Sequence, residues 1–479
     1  MRFYFSKRLY LFLLITLAFL SNAYALLPDS IEENFRKIGI KDNSLAIVVM
    51  DANPKGKIWI QHNEKTMMNP ASVMKLVTTY AALDILGPNY IWHTAAFIDG
   101  KVNNYTLNGN LYIRGSGDPS MTADRMRELL LQIRAAGIHT IQGDLLIDRS
   151  ALDIPTIDPS AFDGEPLRPY NVRPDSLLVN FKTIIFSFNP SLAEVGGNIP
   201  VVMTPSMIGV NHNSEISVCA GRCGDWKKSL QADFSDPLNI QFNGEFPLSC
   251  GPKQWYVAFP DPESHSLRTV SGIWQELGGS VKGKVSFGTV PGNAKLVAFS
   301  ESKSLTEVVR NVNKYSNNVM AQSVFLALSL PEQKNFLSPS PISNPATYEQ
   351  SRNIIADWWQ RRFPHTTAPV IENGSGLSRY ESISAGSLAA MLQHAWNSPV
   401  MSEFMSSLPI ASVDGTMRRS KAVASAHIKT GSIRNVTTRA GYILGTGAQR
   451  RIFVFMINSN KAHQVSEAID TLIDWAAEQ

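Results

Sequence analysis

The sequence predicts an α/β multidomain protein whose main sheet is antiparallel, is assembled from both halves of the chain, and is interrupted by an insertion that itself carries an insertion. Three observations lead there. A strand-like hairpin near residue 50 has no partner sheet close to it in sequence, three strand-like runs near residues 427–457 have none either, and the long stretch between them differs in texture. With 479 residues, 44% hydrophobic and 18% charged, the chain has the composition of a folded protein and the length for two or three domains. Disordered and collagen-like classes are excluded.

In chain order, Arg2, Lys7 and Arg8 precede the apolar run 9–20, and Ala23-Tyr24-Ala25 offers small residues at the spacing a signal peptidase accepts. A cleaved secretory signal over 1–25 is expected, because about a dozen apolar residues fall short of the roughly 20 that span a bilayer. Its removal lowers the net charge from +4 to about +1, so neither nucleic acid nor an acidic membrane surface is implied as a partner. A short helix is expected at 31–38. Strands at 44–50 and 57–60 are joined by the turn-rich Asp51-Ala-Asn-Pro-Lys-Gly56.

From 97 to 149, strand-like segments surround a helix at 121–136, preceded by the turn Gly115-Ser-Gly-Asp-Pro119. From 164 to 253 the chain becomes rich in Pro, Asn and Gly and holds its three cysteines, Cys219, Cys223 and Cys250. An exported chain with three cysteines is expected to form one disulfide. Cys250 lies 27 residues beyond Cys223 and 31 beyond Cys219, which leaves both pairings open, with Cys223–Cys250 slightly preferred. A zinc site from His212, Cys219 and Cys223 lacks a second tight ligand pair. A helix at 266–277 and the segment "GGSVKGKVSFG" lead back, strands follow at 427–430, 440–444 and 451–457, and an amphipathic helix covers 462–477.

Chemistry-bearing residues fall into three short stretches. In Asn69-Pro-Ala-Ser-Val-Met-Lys75, Asn69 is a good N-cap and Pro70 suits a first helical position. Val73, Leu76, Val77, Tyr80 and Leu83 then keep a 3.6-residue period until Gly87-Pro88. Ser72 is thereby expected in the first turn, where free N–H groups favour negative charge, with Lys75 on the same face. A desolvated lysine there becomes a neutral base for the serine hydroxyl.

The second stretch is Tyr315-Ser316-Asn317-Asn318, between a helix opened by the capping box Ser304-Leu-Thr-Glu307 and a helix at 319–328. Here Ser316 is suited to relaying a proton and Asn318 to holding a substrate amide. The third is Lys429-Thr430-Gly431-Ser432 on a strand, a cation and a hydroxyl for a carboxylate beside a glycine that permits close backbone approach. Each has a bland reading as a helix cap or an exposed edge lysine. Ser-x-x-Lys, Ser-x-Asn and Lys-Thr-Gly in this order form the signature of β-lactamases and penicillin-binding proteins. Asn373-Gly-Ser-Gly376 resembles a nucleophile elbow but lacks the preceding glycine and the strand-turn-helix context.

On these motifs the sequence resembles the D-alanyl-D-alanine carboxypeptidase/endopeptidase family, the low-molecular-mass class C penicillin-binding proteins, over nearly the whole mature chain. Ser72 and Ser316 stand 244 residues apart, a gap that the family's two nested inserted domains fill. Gly115-Ser-Gly-Asp-Pro119, Leu146-Ile-Asp-Arg149, Asn373-Gly-Ser-Gly-Leu-Ser-Arg379 and Asp414-Gly-Thr416 match as well. The resemblance implies a serine DD-peptidase/β-lactamase-like domain, a five-stranded antiparallel sheet flanked by helices, over 26–95 and 295–479. A first inserted domain would cover 96–163 and 254–294, and a second, nested in it, 164–253.

It also implies a periplasmic enzyme that cleaves the terminal D-Ala–D-Ala bond of peptidoglycan stem peptides, and D-Ala crosslinks in many members, through a serine acyl-enzyme that β-lactams trap. Ser72 would attack, Lys75 take its proton, Ser316 pass a proton to the leaving D-alanine, and Lys429 hold that relay electrostatically. Thr430 would meet the terminal carboxylate, backbone N–H groups of Ser72 and Ser432 would form the oxyanion hole, and Asn318 would bind the peptide amide. Asp148 and Arg379 match the aspartate and arginine that read the free end of the diaminopimelate side chain. No metal or other cofactor is called for, and the oligomeric state stays open. Two alternatives are a β-lactamase, marked by rapid nitrocefin turnover, and a penicillin- or cell-wall-binding protein that is labelled without turning over.

Overall fold

The computed structural model describes residues 27–479, and the expected signal at 1–25 lies outside the described residues. Leu45–Asp51 and Ile58–His62 form the expected hairpin. On its other side Leu45–Asp51 pairs with Arg450–Asn458, from Leu45 opposite Ile457 to Asp51 opposite Arg451. Val436–Leu444 and Ala426–Ile433 follow, completing a five-stranded antiparallel sheet with Ala426–Ile433 at its edge.

A strand covered on both faces reads as a continuous apolar run rather than an alternation, and 45–50 and 452–457 contain no polar residue. Ala46, Val48, Ile452, Val454 and Met456 enter one core, while Leu45, Ile47, Val49, Phe453, Phe455 and Ile457 enter the other. Helices Asp29–Ile38 and Ser466–Glu478 close the second core, with Phe35 stacked on Phe455 at 5.6 Å between centroids. The expected helix at 462–477 thus starts later, after a 3₁₀ turn at Ala462–Gln464.

At the centre of the first core is the helix Lys75–Leu86, buried on every side as far as Leu83. Helices Leu305–Tyr315 and Asn318–Ala327 pack against it, and the Trp358 ring lies 5.7 Å from that of Tyr80. The α-helix does not start at Pro70. Ala71–Met74 forms a 3₁₀ turn, so Ser72 sits in a tighter, pre-helical segment.

Inserted between these parts is a second five-stranded sheet, in the order Val285–Phe287, Leu145–Asp148, Leu111–Arg114, His93–Ile98, Lys295–Glu301. Helices Ala123–Ala135 and His265–Glu276 share its core. His93–Ile98 is buried along its whole length and pairs with Lys295–Glu301 from end to end, apart from a bulge at Val297. Residues 93–95 and 295–301 therefore lie in the inserted sheet, which moves the expected boundaries at 95 and 295 outward on both sides.

A third five-stranded sheet runs Phe246–Pro247, Glu215–Cys219, Asn198–Thr204, Thr183–Phe188, Lys253–Ala258. Lys253–Ala258 pairs with Thr183–Phe188, so 254–258 belong with this nested part and not, as expected, with the first insertion. Its core is aromatic, with Phe188 stacked on Phe246 at 5.3 Å. Cys223 and Cys250 form the disulfide, and Cys219 is free. A small core of Val172, Leu178, Ala258 and Val319 seats the nested part on the helix that begins at Asn318.

Candidate active site

The turn that carries Ser72 is held from three directions. Asn69 N–H donates to Asn458 Oδ1 at 2.9 Å, Asn458 Nδ2 to Asn69 O at 3.1 Å, and Asn69 Nδ2 to Ser378 O at 2.9 Å. Thr438 Oγ1 donates to Pro70 O at 2.6 Å. Asn69 Oδ1 accepts from Ala71 N–H at 2.8 Å, and Ala71 takes a left-handed φ of 46°. Non-glycine residues in that region cost energy and persist where the surroundings over-determine them. Two glycines supply the tight surroundings. A Cβ on Gly376 would stand 2.0 Å from Ala71 O, and one on Gly431 would stand 2.6 Å from Pro70 O and 3.0 Å from Ser72 N. Gly431 thus serves the approach of the turn that carries Ser72, beside the expected approach of substrate.

Lys75 is fully buried, and its Nζ donates to Ser72 Oγ at 3.0 Å, Asn318 Oδ1 at 2.6 Å and Ser375 O at 2.5 Å. Burial pulls its pKa down to about 7, against a smaller opposing pull from Glu381. That carboxyl is itself buried and pushed upward by desolvation, although the Glu372 and Asn373 N–H groups donate to its Oε1. Asn318 Nδ2 donates to Tyr170 O at 3.0 Å, a carbonyl from the nested part, and this fixes the amide with its oxygen toward Lys75.

Ser316 occupies a left-handed position (φ 56°) between the two helices, where Lys429 Nζ donates to its Oγ at 2.9 Å and to Thr430 O at 2.7 Å. Lys429 is fully buried, and desolvation, aided by the charges of Lys75 and Arg439, holds its pKa well below the ordinary value. The pocket thus makes the charged form of Lys429 costlier than that of a solvated lysine. Thr430 Oγ1 donates to Thr416 Oγ1 at 2.8 Å, while Asp414 pairs with Lys314 at 2.6 Å, so Asp414-Gly-Thr416 ties the third stretch to the helix leading into the second.

Ser72, Ser316, Asn318, Ser432 and Arg379 line one cleft of about 430 Å³. Lys75 and Lys429 lie behind its serines. Phe162, Asp163 and Tyr170 from the nested part and its approach form another wall, and Arg434 lines it too. Asp148 does not reach this cleft. It is fully buried, pairs with Arg114 Nε at 2.9 Å, and accepts from Ser150 N–H, Ser150 Oγ and Val290 N–H. It staples the end of an inserted strand.

The carboxylate that does line the cleft is Asp163. It accepts from Tyr170 Oη and Asn171 Nδ2, each at 2.8 Å, and although burial pushes its pKa up, these bonds bring it below the ordinary value. Arg379 lies over the Phe162 ring at 4.6 Å. The adjacent Phe162-Asp163 pair, an aromatic beside an acid, is the sequence signal that the reading at Asp148 missed. Among the described residues, no group of three or more His, Cys, Asp or Glu could hold a metal ion.

Over residues 27–479 the chain matches the family described as D-Ala-D-Ala carboxypeptidase 3 (S13). The chain belongs to this family. A curated relative of this S13 peptidase, "D-alanyl-D-alanine carboxypeptidase DacB" of Haemophilus influenzae, is 24% identical over 424 residues, 84% of this chain and 83% of the relative. Another, "D-alanyl-D-alanine carboxypeptidase" of an Actinomadura species, is 24% identical and covers 83% of this chain and 75% of its own. The crystal structure of penicillin binding protein 4 (dacB) from Haemophilus influenzae shares the fold with a TM-score of 0.72 at 20% identity, covering 94% of this chain and all of that one. The chain is thus a serine-type D-Ala-D-Ala carboxypeptidase by family. In this S13 peptidase the residues that sequence reasoning left unassigned are Ser375, Gly376 and Glu381 behind Ser72, and Asp163 and Tyr170 across from it.

Proposed function

We propose that this S13 peptidase releases the terminal D-alanine of peptidoglycan stem peptides, and opens D-Ala crosslinks, through an acyl-enzyme on Ser72 that β-lactams trap. The observation that carries this reading is a fully buried Lys75 amine with a pKa near 7, 3.0 Å from Ser72 Oγ. Neutral Lys75 accepts the hydroxyl proton as Oγ attacks the carbonyl carbon of the scissile amide. The Ser72 and Ser432 N–H groups stabilise the oxyanion, a contribution of about 3 kcal/mol for one such donor. The C–N bond then breaks, and the proton reaches the departing amine through Ser316. Water attacks the Ser72 ester with Lys75 again as base, regenerating the hydroxyl. The terminal carboxylate of the substrate meets Thr430, and its charge favours the protonated form of Lys429.

Asn318, clamped between Tyr170 O and Lys75, keeps one amide hydrogen for the peptide carbonyl. Asp163 and Arg379 take the place expected of Asp148 and Arg379 in reading a zwitterionic side-chain end. We read the chain as a catalytic domain with two nested insertions, exported to the periplasm by the signal at 1–25. The test is D-alanine release from a pentapeptide muropeptide: many D-alanines released per enzyme, abolished by Ser72→Ala, support the reading, while rapid nitrocefin turnover without release would make the protein a β-lactamase instead.

A further inference from the structure

The cleft does not end at Arg379. Phe162, Leu377 and Arg379 also line a neighbouring cavity of about 420 Å³, whose wall carries two more arginines, Arg173 from the nested part and Arg352 from the helix Tyr348–Arg362. None of the three is ion-paired among the described residues, although Arg149 and Arg362 nearby in sequence are. Their protein partners are neutral and few. Arg352 Nη1 donates to Glu372 O at 3.0 Å, Arg379 Nη1 to Arg434 O at 3.4 Å, and Arg173 Nη1 to Gln322 Oε1 at 3.5 Å. Gln322 Oε1 is already taken by Tyr348 Oη at 2.7 Å.

A guanidinium has five N–H donors in a fork matched to a carboxylate, so most of this donor set is free. Three such groups around one cavity, continuous with the catalytic cleft and faced by a single exposed carboxylate, Glu372, call for an anion on the substrate. With the scissile bond at Ser72, one D-alanine before it and the diaminopimelate side chain before that at Asp163 and Arg379, the residue preceding diaminopimelate is the one next to the shared wall of Phe162, Leu377 and Arg379. In peptidoglycan that residue is D-glutamyl, linked through its γ-carboxyl and carrying a free α-carboxylate.

We propose that Arg173 and Arg352, in the cavity whose wall Arg379 shares with the cleft, bind this α-carboxylate of the stem peptide being cleaved. The inference rests on the function proposed above. The test compares kcat/KM for D-alanine release from two monomeric pentapeptides that differ only in that carboxylate, free in one and amidated in the other. Wild type should prefer the free acid about tenfold, mainly through KM, as a charge-assisted hydrogen bond implies. Arg352→Gln and Arg173→Gln should each reduce the preference toward unity and leave the rate of acylation by benzylpenicillin unchanged.

Equal kcat/KM for the two peptides with wild type overturns the assignment. So does a loss of penicillin acylation in Arg352→Gln that matches the loss on peptide, since the arginine would then act on the catalytic groups. A preference seen only with crosslinked dimers gives the cavity to the neighbouring stem and also overturns it. If neither peptide yields D-alanine while penicillin still acylates, the proposed function itself fails, and the cavity assignment with it.

Discussion

Acylation of Ser72 should follow the ionisation of Lys75. Burial brings that amine from an ordinary pKa of 10.5 to about 7. At pH 7 about half of it is then neutral, against about 3 in 10,000 for an unperturbed lysine, a gain of about a thousandfold in available base. The second-order rate of labelling by a fluorescent penicillin, followed by stopped flow, should level off above pH 8. Below pH 7 it should fall about tenfold per pH unit, as the neutral fraction does. A rate flat from pH 5 to 8 would mean that Lys75 is not the base. A rate still rising tenfold per unit at pH 9 would mean that it is an ordinary solvated lysine, and the link from burial to reactivity would be wrong.

The same burial predicts a stability effect. Between pH 7 and 10.5 the unfolded chain binds more protons at Lys75 than the folded one, so the contribution of this residue to stability rises with pH across that window. Relative to Lys75→Met, wild type should gain about 2 kcal/mol from pH 7 to pH 9 in urea denaturation, and parallel pH curves for the two proteins would contradict this. Gly376→Ala places a Cβ 2.0 Å from Ala71 O at φ +77°, so penicillin acylation should slow at least about tenfold with a stability loss of about 1–3 kcal/mol; unaltered acylation would remove Gly376 from the support of the nucleophile turn. Replacing both Cys223 and Cys250 by serine should cost about 3 kcal/mol of stability and spare acylation, because the bridge lies in the nested part; a matching loss of acylation would tie that part to catalysis.

Much of the catalytic sheet was legible because its strands, covered on both faces, are uninterrupted apolar runs at 45–50 and 452–457. The three motifs were legible because serine, lysine and asparagine recur at fixed short spacings that a helix start, a helix junction and a strand hold in place. Long-range contacts were not. Nothing local marks Gly376 as the residue pressed against Ala71, or Glu381 as the buried carboxyl opposing Lys75, since each meets its partner some 300 residues away in sequence. Asp148 misled because an acid at the end of an inserted strand looks the same whether it faces the cleft or Arg114. The domain boundaries expected at 95 and 295 cut across the strands 93–98 and 295–301, because pairing between them, not their composition, defines the edge of the inserted sheet. Residue type alone does not tell that Lys429 is fully buried beside Lys75 and Arg439, which lowers its pKa.

Ser72 is the residue expected to become acylated. The most direct test is mass spectrometry of the protein after reaction with benzylpenicillin, followed by mapping of the adduct. One penicilloyl group on the peptide containing Ser72, absent in Ser72→Ala, is the predicted result. An adduct on Ser316, Ser375 or any other residue, or a Ser72→Ala protein labelled as fast as wild type, would contradict it.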